Sequence, residues 1–451
     1  MVSVAFVTLG CPKNEVDTAA MKALVEASRY KLCEDPADAD VVVVNTCSFI
    51  ATATEASIET ILDLAEQQGD LPKPVAGHER MLLVTGCLVN RYDTGELGAE
   101  LPEVNAFIPL AGESDLLRVI EDLTGEPSGS GSSGEKPTSA LGQAGLPSAY
   151  LMIADGCDRR CSYCTIPSIR GPYRSQTPDE LVAEAQRLVD SGVRELVLIA
   201  QDTTAYGHDL PAHPNLAALV TRLCEETEVT WLRLMYLQPE GVTDELIAAI
   251  AAHPQVVRSL EMPLQHSSAR LLRAMQRAGG HAQFSALIAR LRECLPGLAL
   301  RTTLITGFPG ESEKDFHDLL DFVQEIRFDY VGVFPFSPED GTMAAELPGQ
   351  VDEETRLARA QMLRDAADEI GWEHAAAHVG ERVEVLVESF DAEEGIWLAR
   401  APFQAPDIDG VVRIDPDQQE ASTLQPGAIM KVTIQDALLY DLEGVINDET
   451  T

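Results

Sequence analysis

Two groups of three cysteines are the residues in this chain whose type and spacing could do chemistry. Cys157, Cys161 and Cys164 lie in DGCDRRCSYC with the spacing CxxxCxxC. A structural zinc site takes four protein ligands, and no fourth Cys or His lies within fingering distance. A cubane iron–sulfur cluster offers a better match, because three close thiolates hold three of its four irons. The fourth iron is then open to another ligand, such as the amino and carboxylate groups of S-adenosylmethionine.

Cys11, Cys47 and Cys87 are 36 and 40 residues apart and look unrelated until their context is read. Each follows an apolar run directly, in VTLGC, VVNTC and LVTGC. If those runs are parallel strands, their carboxyl ends share one edge of a sheet, where the loops form a ligand crevice. The three thiols are then expected at one site. Cys33, Cys224 and Cys294 share no such pattern; the latter two lie in amphipathic helical stretches and are read as packing residues.

The elements that must position these thiols follow from periodicity. VSVAFVTLG, DVVVVNT and RMLLVTG alternate with helical patterns, which predicts a parallel sheet covered on both faces over residues 1–125. Residues 126–148, EPSGSGSSGEKPTSALGQAGLPS, have the composition of a flexible linker. Six further β/α units over 149–345 predict a partial or full barrel, with the CxxxCxxC loop after its first strand. A helical connector over 346–378 leads to short strands without helices over 379–451, which predict a small β-barrel or sandwich. The fold class is therefore α/β and multidomain, with a small all-β end.

At 451 residues several cores are needed, and no apolar run is long enough to span a membrane. The N-terminus reads directly as a strand without a basic leader, so a cytoplasmic protein is expected, in which thiols stay reduced. The formal charge of −40 repels polyanions and suits a basic partner or a small substrate.

CxxxCxxC after a first barrel strand resembles the radical S-adenosylmethionine superfamily. With LGCPKN, VVNTC and VTGC ahead and a β domain behind, nearly the whole chain resembles the methylthiotransferases. GCDRRCSYCTIPSIRG, QDTTAYG, MPLQH and TLITGFPGE look like the branch called RimO, which modifies an aspartate of the basic small-subunit ribosomal protein twelve. The tRNA-modifying branch, MiaB, typically shows GCQMN where this chain has GCPKN. Residues 379–446 carry 14 acidic and 4 basic side chains, the opposite of what a TRAM domain built to hold tRNA needs.

The resemblance implies two 4Fe-4S clusters, one binding S-adenosylmethionine on Cys157, Cys161 and Cys164, the other auxiliary on Cys11, Cys47 and Cys87. It implies a 5′-deoxyadenosyl radical that takes hydrogen from the aspartate β-carbon, and a methylthio group delivered from the auxiliary cluster. A low-potential electron donor and a sulfur source are implied as partners. Tyr163 is placed to pack against the adenine, and Gln201 and Asp202, after the second strand, to meet the methionine amino group. TGFPGE, with Gly307 and Glu311, resembles the superfamily's Gly-rich segment near the cofactor. His266 ends the fourth strand, and Arg159, Arg160, Arg170 and Arg174 flank the cysteine loop as candidate receptors for a substrate carboxylate. Two other readings stay open: a tRNA adenosine methylthiotransferase, and a non-enzymatic iron–sulfur or zinc protein.

Overall fold

Val41, Val42, Val43 and Val44 are all shielded from solvent, as a strand covered on both faces requires. They form β3 (Val41–Thr46), the centre of a five-stranded parallel sheet ordered β2-β1-β3-β4-β5. Its other strands are β1 (Ser3–Thr8), β2 (Lys31–Leu32), β4 (Met81–Gly86) and β5 (Ala106–Ile108). The two edge strands have two and three residues, too short for periodicity to reveal. Helices α1 (Pro12–Glu26) and α5 (Leu116–Thr124) close one face through Met21, Val25, Leu116 and Ile120. Helices α2 (Ala51–Asp70), α3 (Cys87–Arg91) and α4 (Thr94–Glu100) close the other through Ile61, Leu88 and Leu97.

The structure, a computed structural model, describes residues 1–70, 80–129, 141–415 and 424–446. Its chain divides into two compact units, the first made of residues 1–144, 155–159 and 164–174, the second of the rest. Residues 130–140 of the expected linker lie outside the described residues. Its flanks are packed: Tyr30 Oη donates to the Glu126 carbonyl at 2.7 Å, and the Ser128 carbonyl accepts the Arg29 N–H at 2.9 Å. A 3₁₀ turn at Leu141–Gln143 lies against α1. The flanks are held through backbone carbonyls, an affinity that a count of apolar side chains cannot reveal.

In the second unit six strands run parallel in chain order, and the sheet does not close. They are β6 (Ser148–Met152), β9 (Glu195–Ile199), β10 (Trp231–Leu234), β11 (Val256–Glu261), β12 (Ala299–Thr306) and β13 (Tyr330–Pro335). Two-residue strands β7 (Ala154–Asp155) and β8 (Arg174–Ser175) bracket the cysteine loop, which contains α6 (Ile166–Arg170). Helices α7 (Pro178–Asp190), α8 (Leu216–Glu226), α9 (Asp244–Ala252), α10 (Ala269–Ala274), α11 (His281–Cys294) and α12 (Glu313–Ile326) follow. Capping boxes at Thr177/Glu180 and Ser312/Asp315 start α7 and α12. Cys224 is buried on α8 as expected, whereas Cys294, read as a packing residue, is exposed. It is the last residue of α11, where the buried stripe of Phe284, Ile288 and Leu291 has already ended.

β13 pairs on one side only, and α13 (Glu353–Ala377) covers it. Arg364 donates to the Val333 carbonyl at 3.1 Å and Arg356 to the Phe336 carbonyl at 2.7 Å. This arrangement protects an otherwise open edge. The chain then forms a closed five-stranded barrel from β14 (Arg382–Asp391), β15 (Ile396–Arg400), β16 (Val412–Ile414), β17 (Ile429–Leu438) and β18 (Asp441–Val445). Pairing of β14 with β17 completes the closure, so the all-β end is a barrel and not a sandwich.

This small barrel is bonded to the amino-terminal part of the six-stranded sheet. Arg400 pairs with Glu195 and donates to Ser148 Oγ at 2.7 Å, while Arg233 pairs with Glu195 at 2.7 Å and donates to the Pro402 carbonyl at 2.9 Å. Tyr150 donates to Asp407 at 2.9 Å, and Arg301 pairs with Asp409. Burial alone would raise the Glu195 carboxyl, but the two guanidiniums outweigh it and hold the group down at about 2. Among the described residues, no helix is long and apolar enough to cross a membrane.

Candidate active site

The three strands expected to present Cys11, Cys47 and Cys87 do present them at one sheet edge. Cys11 is the N-cap of α1 after β1, Cys47 follows β3, and Cys87 opens α3 directly after β4. Gly10 lies so close to Cys47 that a Cβ on it would sit 2.8 Å from the Cys47 Cβ and 3.2 Å from its Sγ. Its φ of +110° adds a second reason for glycine there. The thiols also feel one another's charge, Cys47 that of Cys11, and Cys87 that of both. Burial pushes the Cys47 thiol up and the Cys87 thiol up to about 11.

A pair of buried amides holds this edge together. Asn14 donates from Nδ2 to Asn45 Oδ1 and to the Thr46 carbonyl, both at 2.9 Å. Asn45 in turn donates to the Asn14 carbonyl at 3.0 Å and to Thr18 Oγ1 at 3.1 Å. The start of α1 is thereby tied to the end of β3, and with it Cys11 to Cys47. Ser57 serves Cys47 separately, accepting its N–H at 3.2 Å and donating to its carbonyl at 2.7 Å. Asn14 and Asn45 stand in LGCPKN and VVNTC, and the sequence alone assigns them no role.

Arg170 follows the CxxxCxxC cysteines in sequence, yet it packs with the other trio. Its side chain is 2% exposed and pairs with Asp17 at 2.8 Å and Asp155 at 3.2 Å. Burial opposes its charge, but those two carboxylates and the Cys87 and Cys11 thiols hold it firmly protonated. As a receptor for a substrate carboxylate it is already occupied. Arg160 and Arg174 are exposed, and Arg159 is half-buried.

In the CxxxCxxC loop, Cys157 is buried and its N–H donates to the Gly171 carbonyl at 3.1 Å. Gly156 turns the chain just before it with φ +78°, and a Cβ there would lie 2.2 Å from the Pro172 carbonyl oxygen. Ser162, between the other two cysteines, is fixed in the second unit: its N–H donates to the Met275 carbonyl at 3.1 Å and its Oγ to Ala274 at 2.8 Å. Arg277 lies beside Cys161, with Nη1 4.0 Å from the thiol sulfur.

The remaining candidates divide. Tyr163 and Gln201 are half-buried. Asp202 is buried and acts as a cap, its Oδ1 accepting from Ala205 N at 3.2 Å and Thr204 Oγ1 at 2.5 Å. Gly307 has φ +71°, and its N–H donates to Glu311 Oε2 at 2.9 Å. Glu311 Oε1 pairs with Arg359 at 2.8 Å, and Oε2 lies 3.4 Å from Nε2 of fully buried His266. Glu311 and His266 therefore brace the turn after β12 from inside.

Three thiols from three loops, with a buried arginine alongside, suit a cubane whose corners each take one ligand. Among the described residues, no three His, Cys, Asp or Glu side chains gather round one point as the ligands of a single metal ion do.

Three family models match the chain: residues 151–323 match the radical SAM superfamily, 3–109 the uncharacterized protein family UPF0004, and 379–446 the TRAM domain. Among solved structures, the radical S-adenosylmethionine methyltransferase TsrM from Kitasatospora setae superposes with a TM-score of 0.53 at 15% identity, over 76% of this chain and 77% of that one. Fold and site together define a radical S-adenosylmethionine enzyme. The ribosomal protein uS12 methylthiotransferase RimO of Anaeromyxobacter sp. (strain Fw109-5) is 44% identical over 97% of this chain and 91% of its own length. That of Geobacter sulfurreducens is 42% identical over 98% of both. The chain belongs to this RimO methylthiotransferase family.

Proposed function

We propose that this chain adds a methylthio group to the β-carbon of an aspartate in ribosomal protein uS12. The observation that carries the reading is the near-full-length match to chains of that name at 41–45% identity. Charge agrees with it, since a chain of net charge −40 suits a basic protein substrate. The tRNA-modifying alternative is not favoured by these relatives or by the acidic C-terminal barrel.

In this reading Cys157, Cys161 and Cys164 hold the cluster that binds S-adenosylmethionine, and Cys11, Cys47 and Cys87 hold an auxiliary cluster. The domains they serve are 1–125, 149–345 and, behind the connector 346–378, the TRAM domain 379–451. When bound, the clusters and S-adenosylmethionine supply the radical that removes the substrate hydrogen and the methylthio group that replaces it. The protein's own task is placement. Asn14 and Asn45 keep two of the three auxiliary thiols in register. Glu311 holds the turn that presents Gly307 backbone at the carboxyl end of β12, and Asp202 caps the turn after β9 beside Gln201. Tyr163 offers an aromatic face to the adenine and Gln201 an amide to the methionine end. A low-potential electron donor and a sulfur source complete the reaction.

The test is anaerobic reconstitution with iron and sulfide, then reductant, S-adenosylmethionine and a peptide carrying the target aspartate loop, read by mass spectrometry. A gain of one methylthio group on the aspartate is expected. Formation of 5′-deoxyadenosine with an unmodified peptide would leave the radical chemistry standing and remove the substrate.

A further inference from the structure

Beside Cys161 the second unit has buried a guanidinium that makes no ion pair with a carboxylate among the described residues. Arg277, in MQRAGG after α10, is 8% exposed. Its Nη2 donates to the Pro263 carbonyl at 2.6 Å, and its Nη1 stands 4.0 Å from Cys161 Sγ. Among the described residues it has no carboxylate within ion-pair distance, and its Nε, also buried, has no partner. A guanidinium keeps its charge even when buried, and the Glu240 carboxylate acts on it without an ion pair.

The placement is held from both sides. Ser162, next to Cys161, makes two hydrogen bonds to the carbonyls of Ala274 and Met275, just before Arg277 in the chain. Holding Pro263 in place needs one donor only, which leaves a full charge facing the thiol. Arg170, the buried guanidinium at the other trio, differs because Asp17 and Asp155 neutralise it.

We propose that Arg277 is a positioning residue whose charge, set against the Cys161 thiolate, raises the reduction potential of the cluster on Cys157, Cys161 and Cys164. The inference rests on the reading that this trio holds a cluster. One-electron reduction adds a negative charge at the site, and a fixed cation in a low-dielectric surrounding favours the more negative state.

The experiment uses the full chain with Cys11→Ala, Cys47→Ala and Cys87→Ala, so that one cluster remains. After anaerobic reconstitution, that parent and its Arg277→Gln and Arg277→Lys derivatives are titrated with dithionite as the one-electron donor, and the reduced-cluster signal is followed by electron paramagnetic resonance. Arg277→Gln is expected to keep its iron while its reduction equilibrium constant falls about tenfold, about 59 mV for a one-electron couple. Arg277→Lys, which keeps the charge, should stay within about threefold of the parent. An unchanged potential in Arg277→Gln at full iron content would overturn the proposal. If Arg277→Gln loses iron, Arg277→Lys decides: a retained potential supports the proposal and a tenfold fall overturns it. A parent that binds no iron refutes the cluster reading itself, and the iron assay separates that outcome from the others.

Discussion

At the scale of the residue, the placement of the thiols depends on polar side chains around them. Asn14→Ala leaves the Asn45 amide buried with part of its bonding lost, which costs about 1–3 kcal/mol and loosens the tie between Cys11 and Cys47. Lower iron content with the CxxxCxxC signal retained is the expected result, read by iron assay and Mössbauer spectroscopy. Gly156→Ala forces a Cβ onto the Pro172 carbonyl in a left-handed conformation, so iron on the CxxxCxxC loop should fall instead. Cys47→Ala should still permit 5′-deoxyadenosine formation but no sulfur insertion, and retained methylthiolation in that variant would refute the division of labour. The placement of Cys11, Cys47 and Cys87 at the carboxyl ends of neighbouring strands was legible in the sequence because each follows an apolar run. Asn14, Asn45 and Arg277 were not, because an amide or a guanidinium acquires its role only from a partner far away in the chain. Arg170 shows the same limit in reverse, since adjacency to the CxxxCxxC loop suggested a substrate receptor and the fold pairs it with Asp17.

At the scale of the element, the long buried strands were legible and the edges were not. Val41–Val44 declare themselves by a continuous apolar run, and the six strands of the second unit by apolar-rich segments that alternate with helical patterns. β2 and β5 are held by pairing to neighbours that periodicity cannot see. The turn after β12 resembles a Gly-rich cofactor segment in sequence, and in the fold Glu311 braces it, bonded to the Gly307 N–H and Arg359 and close to His266. Removing one partner of such a buried pair costs about 3–5 kcal/mol. Glu311→Ala should therefore lower the melting temperature, speed amide exchange at Gly307, and weaken S-adenosylmethionine binding measured by calorimetry. Unchanged exchange there would show that α13 holds the turn without the carboxylate.

At the scale of the whole molecule, the small barrel and the six-stranded sheet share an ionic junction centred on Glu195. Glu195 lies at about 2 in the folded chain, below the ordinary glutamate range near 4.3. A depressed carboxylate contributes stability that is present above the unfolded value and lost as pH falls towards the folded one. The junction should therefore hold at neutral pH and weaken between about pH 4 and pH 2. Glu195→Gln leaves Arg233 and Arg400 facing each other without their shared acid, and a loss of about 3–5 kcal/mol is expected from denaturant titration. That variant should also lose the acid sensitivity that Glu195 contributes. The junction draws residues from β6, β9, β10, β15 and the turn beyond it, so no stretch of sequence contains it. Exchanging the C-terminal barrel with that of a tRNA-modifying relative would then be no simple graft at residue 379. Glu195 would keep Arg233 but lose Arg400, and Arg400 would keep Glu388 but lose Glu195, unless both sides travelled together. The barrel is inherited as part of the sheet it joins, and its drift towards a new partner is constrained by Glu195, more than two hundred positions earlier in the chain.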